Sequence, residues 1–146
     1  MTMADSNPLG DKDFVETLIP QKKPFVMVDT LYFYSENELV AGFTIHNDAV
    51  FLKDNSFVES GIIEHMAQSV ALHTGYQFYL RNEQAPTGYI GSINKLQIKG
   101  LPKLHDEIRT TVSIIQEFGG VTLVDIVSKL NNVEIANGQM KTVLAK

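Results

Sequence analysis

The stretch that decides the fold is residues 59–81, which read ESGIIEHMAQSVALHTGYQFYLR. It contains no proline, and its apolar residues recur at the spacing of a helix. We therefore predict one long helix here. Its polar residues form two adjacent rows at four-residue steps, with Ser60, Glu64 and Gln68 in one and His65, Ser69 and His73 in the other. Such rows are typical of a solvated helix face, although the same pattern allows Glu64 to be an acid in an apolar pocket.

The segments on both sides of this helix predict β-strands. Before it, two β-rich runs separated by residues 35–37 indicate a hairpin. After it, several runs are separated by tight turns at the glycine pair 119–120 and the asparagine pair 131–132. Asn137-Gly138 suggests a bulge or a break in the last run. Consecutive strands joined by short turns predict mostly antiparallel pairing.

The remaining segments complete the predicted domain. Asp13 and Glu16 have the spacing of a capping box, so we expect a short helix at about residues 13–18. Residues 47–58 are predicted to be a polar loop. A lone long helix must bury its apolar face against the sheet. The chain is thus predicted to be a flexible tail, residues 1–10, followed by a single α+β domain, residues 11–146.

Composition excludes several classes of protein. The net charge of the 146 residues is -5 without a basic run, which argues against nucleic-acid binding. There are no cysteines, hence no disulfides and no thiolate chemistry. No apolar stretch approaches the roughly 20 residues that span a bilayer, and the N-terminus lacks a secretory pattern. We therefore expect a cytoplasmic protein.

Three segments resemble the FabZ-type 3-hydroxyacyl-[acyl-carrier-protein] dehydratases: LIPQKKPFVMVDTL at 18–31, GIIEHMAQ at 61–68 and YIGSINKLQIKGLPKLHDEI at 89–108. The resemblance implies the hot-dog fold, in which an antiparallel sheet curls around a long helix, and assembly as a homodimer or a larger oligomer. It also implies elimination of water from a 3-hydroxyacyl thioester of acyl carrier protein or coenzyme A. No metal and no diffusible cofactor is implied.

The resemblance carries over to individual residues. In the family a histidine acts as the base at C2, and an acid on the central helix of the facing subunit handles the departing hydroxyl. Glu64 matches that acid and Gln68 matches the glutamine after it. Counting back without gaps places Val50 at the histidine position. The other substrate-binding positions implied are Phe51, Gly61 at the helix start, and Gly91 and Ser92 in the strand nearest the acyl chain.

The missing histidine leaves three interpretations open. His46, at a strand end just upstream, is a candidate replacement base, because histidine titrates near neutrality. Alternatively, the chain is a catalytically silent partner subunit of a heteromeric dehydratase, or a hot-dog thioesterase that uses Glu64 to activate water. Neighbours in a helix point about 100° apart, so His65 and Glu64 are not expected to act as a pair within one chain. His65 is expected to be a surface or interface imidazole. The spacing of His46, Asp48 and Asp54 fits no metal site.

Overall fold

The structure of the protein, a computed structural model, describes residues 7–145. In chain order its elements are α1 (Lys12–Leu18), β1 (Thr30–Tyr34), β2 (Glu38–Thr44), β3 (Leu52–Lys53), β4 (Ser56–Phe57), α2 (Glu59–Leu80), β5 (Gly88–Ile98), β6 (Glu107–Phe118), β7 (Val121–Leu130) and β8 (Val133–Leu144). The predicted long helix is therefore confirmed as α2. Within the described residues, no helix is long and apolar enough to cross a membrane.

Six of the strands form one antiparallel sheet in the order β1-β2-β6-β7-β8-β5. The long helix α2 contacts β1, β2, β5, β6 and β7. Leu39, Met66 and Ile126 are among the apolar side chains buried in the core that forms there. One sheet packed around one long helix is the α+β hot-dog architecture that the sequence predicts.

The tight turns of the sheet lie where the sequence predicts them. Gly119, Gly120, Asn131 and Asn132 have φ angles of 62°, 81°, 51° and 66°, a region that glycine and asparagine tolerate best. The irregularity predicted at residues 137–138 is present, but the extra residue of the bulge belongs to β5 and lies opposite Gly138. A Cβ on Gly138 would lie 3.2 Å from the Leu96 side chain, so the glycine makes room for that bulge.

The beginning of the domain differs from the prediction. The N-cap of α1 is Asp11, whose side chain accepts a hydrogen bond from the Phe14 N–H at 3.1 Å. The capping box predicted at Asp13 is therefore wrong. Leu9 and Gly10, which were expected in the tail, are hydrogen-bonded to the Leu31 backbone. These two residues are therefore paired with the domain, while residues 1–6 of the expected tail lie outside the described residues and the boundary at residue 11 stays a prediction.

Residues 47–58, expected to be a loop, contain a small hairpin. Strands β3 and β4 pair antiparallel, with Leu52 opposite Phe57. Phe57 is completely buried, and a Cβ on Gly61 would lie 2.6 Å from its ring. Gly61 therefore allows the hairpin to pack directly on the first turn of α2.

Four of the six polar residues in these rows of α2 face the core, so a fully solvated face is wrong, whereas Ser60 is exposed and Glu64 is half-buried. His65, Gln68 and Ser69 are completely buried, and His73 is 5% exposed. The Ser69 hydroxyl donates to the His65 carbonyl at 2.8 Å, and His73 Nε2 donates to the Ser35 carbonyl at 2.9 Å. These hydrogen bonds compensate for the lost contact with water. The periodicity alone does not distinguish a buried, hydrogen-bonded row from a solvated one.

The two helices approach each other closely at Gly75. A Cβ there would lie 2.0 Å from the Leu18 carbonyl oxygen, which is backbone and cannot move aside easily. Alanine has a better helix propensity than glycine by about 1 kcal/mol, but the clash outweighs this gain. We expect Gly75→Ala to lower the free energy of unfolding by about 2 kcal/mol, measured by urea denaturation.

Gly100→Ala is the matched control for this substitution. Its Cβ would meet only Ile135, at 3.9 Å, so its free energy of unfolding should stay close to that of the wild type. A Gly75→Ala protein as stable as the wild type would contradict the close approach of α1 to α2.

Candidate active site

A cavity of about 470 Å³ opens beside Glu64. One wall is the face of α2 that carries Glu64, Ala67 and Ala71, and the other walls are residues 17–22 and 84–90 together with the end of β8. Ala67 and Ala71 are half-buried and small, so they leave space that larger side chains would fill. The volume is within the range of sites that bind small molecules and cofactors.

The Glu64 carboxylate is oriented by the side-chain amide of Gln68. Gln68 Nε2 donates to Glu64 Oε2 at 2.7 Å and to the Phe25 carbonyl at 2.7 Å. Gln68 Oε1 accepts a hydrogen bond from the Met27 N–H at 2.6 Å. Because Gln68 is completely buried, these contacts determine how its amide is turned. The acid predicted from the sequence therefore lines a cavity, and the predicted Gln68 orients its carboxylate through a hydrogen bond.

His65 adjoins Glu64 in sequence but points into the core. Its Nδ1 lies 2.7 Å from the Met27 carbonyl oxygen, which only accepts, so Nδ1 carries the proton. Its Nε2 then accepts from the Thr110 hydroxyl at 2.7 Å, and Thr110 in turn accepts from the Ser128 hydroxyl at 2.7 Å. The expected surface or interface imidazole is wrong, because this chain of hydrogen bonds offsets the cost of burying the ring.

His46 does not share the cavity of Glu64. It is exposed and lines a second cavity, of about 560 Å³, together with Asp29, Asp48 and Lys23. Its ring packs edge-on against Phe43, with the ring centroids 5.6 Å apart. Within one chain, the candidate base and the candidate acid are therefore in different cavities.

The other predicted site residues are not among those that line the cavity. Val50 is 43% exposed. Phe51 is half-buried and packs against the start of α2, where a Cβ on Gly61 would lie 2.7 Å from the Cβ of Phe51. Gly91 and Ser92 follow the lining residue Ile90 in β5, and the pairing with β8 shifts register between Ile90 and Ser92. Their predicted contact with a ligand stays a prediction.

Part of the cavity wall is a segment that the sequence did not assign to the site. Residues 17–22 connect the end of α1 to the buried residues 26–28 and line the cavity opposite α2. Residues 18–22 lie within the first segment that resembles the FabZ-type proteins. Gln68 binds the backbone of Phe25 and Met27, which follow this segment in the chain, and the contact with Met27 spans 41 residues of sequence.

Comparison with known proteins identifies the family. The profile of the ApeP-like family, described as ApeP dehydratase, matches residues 14–142. The chain belongs to the ApeP-like family. The match covers most of the chain and supports a protein of the dehydratase type, whereas membership of the FabZ group itself stays a prediction. No curated protein sequence matches the chain significantly.

Several solved structures share the hot-dog fold of this ApeP-like protein. One is the dehydratase heterocomplex ApeI:P from Xenorhabdus doucetiae, with a TM-score of 0.85 and 15% identity over 97% of this chain and 93% of that chain. Another is Cj0977, a sigma28-regulated virulence protein from Campylobacter jejuni, with a TM-score of 0.68 and 12% identity over 92% and 89% of the two chains.

A third similar structure is a hypothetical thioesterase protein with coenzyme A from Streptococcus pneumoniae TIGR4. Its TM-score is 0.64 and its identity 8%, over 79% of this chain and 86% of that chain. Identities this low show a common fold and leave the chemistry of the ApeP-like protein to be argued from its own residues.

The neutral, buried state of His65 makes stability depend on pH. Burial lowers the pKa of His65 from 6.5 to about 4. The unfolded chain takes up this proton below pH 6.5, but the folded chain does so only near pH 4. The contribution of His65 to stability is therefore complete above pH 6.5 and is lost as the pH falls towards 4. We expect it to account for a loss of about 2 kcal/mol in the free energy of unfolding between pH 7 and pH 5.

Urea unfolding of wild type and His65→Gln at pH 5, 6 and 7 measures this effect. Between pH 7 and pH 5, the free energy of unfolding of the variant should fall by about 2 kcal/mol less than that of the wild type. His105→Gln is the control, because His105 is exposed, and it should retain the pH dependence of the wild type. Identical pH dependences for wild type and His65→Gln would contradict a neutral, buried imidazole.

Proposed function

We propose that this ApeP-like protein is the acid-bearing subunit of a heteromeric dehydratase that removes water from 3-hydroxyacyl thioesters. Glu64 would handle the departing hydroxyl, and a histidine of a different hot-dog subunit would act as the base. The proposal combines the dehydratase family of the chain with the composition of its cavity.

The observation that carries the proposal is a cavity with an oriented acid and no histidine. The chain has four histidines, and all four are among the described residues. His65 and His73 are buried and hydrogen-bonded, His46 lines the other cavity, and His105 is exposed in a turn. None of them lines the cavity of Glu64. We therefore infer that a histidine base for this cavity comes from another chain.

The proposed chemistry needs one base and one acid at neighbouring carbons of the substrate. The base removes a proton from C2, the C2–C3 double bond forms, and the hydroxyl leaves C3 as water after taking a proton from the acid. The products are a 2-enoyl thioester and one water molecule. A positioned acid or base contributes roughly 100-fold to 10,000-fold to the rate of such a step. Gln68 would keep the Glu64 carboxyl turned towards the substrate.

Two observations favour a different subunit over a second copy as the source of the base. The resemblance to the FabZ-type proteins predicts Val50 at the position of the family histidine, and Val50 is 43% exposed, so an identical partner would offer valine there. A structure that covers 97% of this chain at a TM-score of 0.85 is of a dehydratase heterocomplex. We therefore infer that the partner carries the histidine at the corresponding position.

The proposal is tested by assaying the chain alone and mixed with a histidine-bearing dehydratase subunit encoded in the same genome. The substrate is a 3-hydroxyoctanoyl thioester of acyl carrier protein or coenzyme A, and loss of water is followed by mass spectrometry. We expect turnover by the complex and none by the chain alone. Glu64→Gln in the complex should lower kcat/KM at least about 100-fold.

Glu59→Gln is the matched control, because Glu59 lies exposed in the first turn of the same helix. It should leave kcat/KM unchanged. If the chain alone turns over the substrate and His46→Ala abolishes that turnover, the site is homomeric and not heteromeric. Release of free thiol from an octanoyl thioester without a hydroxyl group, lost in Glu64→Gln, would instead show a thioesterase.

A further inference from the structure

An apolar row crosses four strands on the face of the sheet that is turned away from α2. Phe118 of β6 lies opposite Val121 of β7. Val121 lies opposite Val143 of β8, which in turn lies opposite Tyr89 of β5. Residues directly opposite each other point to the same face of a sheet. The next residue along β7, Thr122, is buried, and side chains alternate between the two faces, so these four point away from the core. We call them the outer row.

The outer row is exposed to solvent at both ends. Phe118 is 83% exposed, the highest value for a large apolar side chain among residues 7–145, and Tyr89 is 61% exposed. Val143 is 39% exposed. If a fully exposed aromatic side chain presents about 200 Å², the row leaves roughly 350 Å² of apolar surface in water. Contiguous apolar patches of that size on a protein surface are often interaction sites.

The order of the side chains makes the outer row complementary to itself. It reads aromatic, valine, valine, aromatic across the four strands. A two-fold axis that runs along the strands between β7 and β8 brings Phe118 of one copy onto Tyr89 of the other, and Val121 onto Val143. An interface between identical chains about a two-fold axis needs a self-complementary surface of this kind. A second copy of this chain thus matches the row side chain by side chain.

The sizes of the side chains also suit two copies that meet face to face. The sheet curls around α2, so its outer face is convex, and two convex faces separate towards the ends of the row. The long aromatic side chains lie at these ends, where the gap is widest, and the short valines lie in the middle. Sheets that pack face to face are about 10 Å apart, a distance that opposed side chains fill.

The charges beside the outer row do not oppose such a contact, although the net charge of the chain is -5. In the next outward-facing positions Leu123 lies opposite Lys141, and further along Asp125 lies opposite Gln139. The same two-fold axis places Leu123 against Lys141 of the other copy, and Asp125 against Gln139. A lysine covers apolar surface with its methylene groups while its ammonium stays in water. Like charges therefore do not meet at these positions.

We propose that the outer row is a contact between two copies of this chain. The inference goes beyond the proposed function and does not depend on it, because Phe118, Val121 and Val143 are not among the residues that line the Glu64 cavity. The apolar area is small for a protein interface, and interfaces that bury less than about 1,200 Å² in total are typical of weak complexes. We therefore expect a dissociation constant in the micromolar range.

Multi-angle light scattering on the full chain, from low-micromolar to near-millimolar concentration, tests the contact. The average mass of the wild type should rise with concentration and approach twice that of Phe118→Glu. Association of the variant would bury a charge without a partner. Because Phe118 is exposed, the variant should fold normally, which circular dichroism checks. Tyr89→Lys is a second variant that should lower the mass in the same way.

Val133→Glu is the matched control for these substitutions. Val133 is 65% exposed but lies at the opposite end of β8, about 33 Å from Val143 along the strand. This variant introduces the same charge at another exposed valine, so its mass should follow that of the wild type at every concentration.

The double variant Phe118→Glu/Tyr89→Lys tests the two-fold arrangement itself. Within one copy the two positions are three strands apart, about 14 Å, which is too far for an ion pair. Across the axis, each introduced carboxylate meets an introduced ammonium of the other copy. The double variant should therefore associate at least about 10-fold more tightly than either single variant.

Three results would overturn the inference. Equal masses for wild type and Phe118→Glu at every concentration would show that the outer row joins no copies. A double variant that associates no more tightly than the single variants would contradict the two-fold arrangement. Loss of the complex with the histidine-bearing subunit in Phe118→Glu would assign the row to that subunit. Turnover by the wild-type complex is a separate measurement, so each of these results leaves the proposed function standing.

Discussion

The side-chain amide of Gln68 joins three parts of the molecule that are far apart in sequence. It belongs to the central helix, binds the backbone of Phe25 and Met27 in the segment before β1, and donates to the carboxylate of Glu64. The Met27 peptide groups are held from both sides, because the carbonyl accepts from His65 while the N–H donates to Gln68. A single buried amide thereby holds both the backbone of the segment before β1 and the acid that lines the cavity.

This arrangement explains why polar residues occupy the buried side of the helix. The segment before β1 leaves backbone groups that no strand pairs, and buried backbone groups need partners. Gln68 and His65 supply them from α2, while Thr110 and Ser128 extend the His65 contact into the sheet. The helix face with Ala67 and Ala71 is freed for the cavity. The buried side of α2 thus combines hydrogen-bonded polar residues with apolar ones such as Met66, and the small side chains of Ala67 and Ala71 leave space for the cavity.

The sequence predicted the long helix, the antiparallel sheet and its tight turns, because periodicity and turn residues act locally. It also placed Glu64 and Gln68 together, through their spacing on one helix face. It did not predict that His65 and Gln68 are buried, since their hydrogen-bond partners, apart from Glu64, are at least 38 residues away. The small hairpin at β3 and β4 was missed because each strand has two residues.

The central claim is that Glu64 works with a histidine from a different subunit. The most direct measurement is the crystal structure of the complex with a histidine-bearing dehydratase subunit and a non-reactive 3-hydroxyacyl thioether. The account predicts that a histidine of the partner lies within roughly 3–4 Å of the analogue's C2, with Glu64 beside the hydroxyl on C3. A cavity closed only by Val50 and Phe51 of a second copy of this chain, with no imidazole near C2, would contradict it.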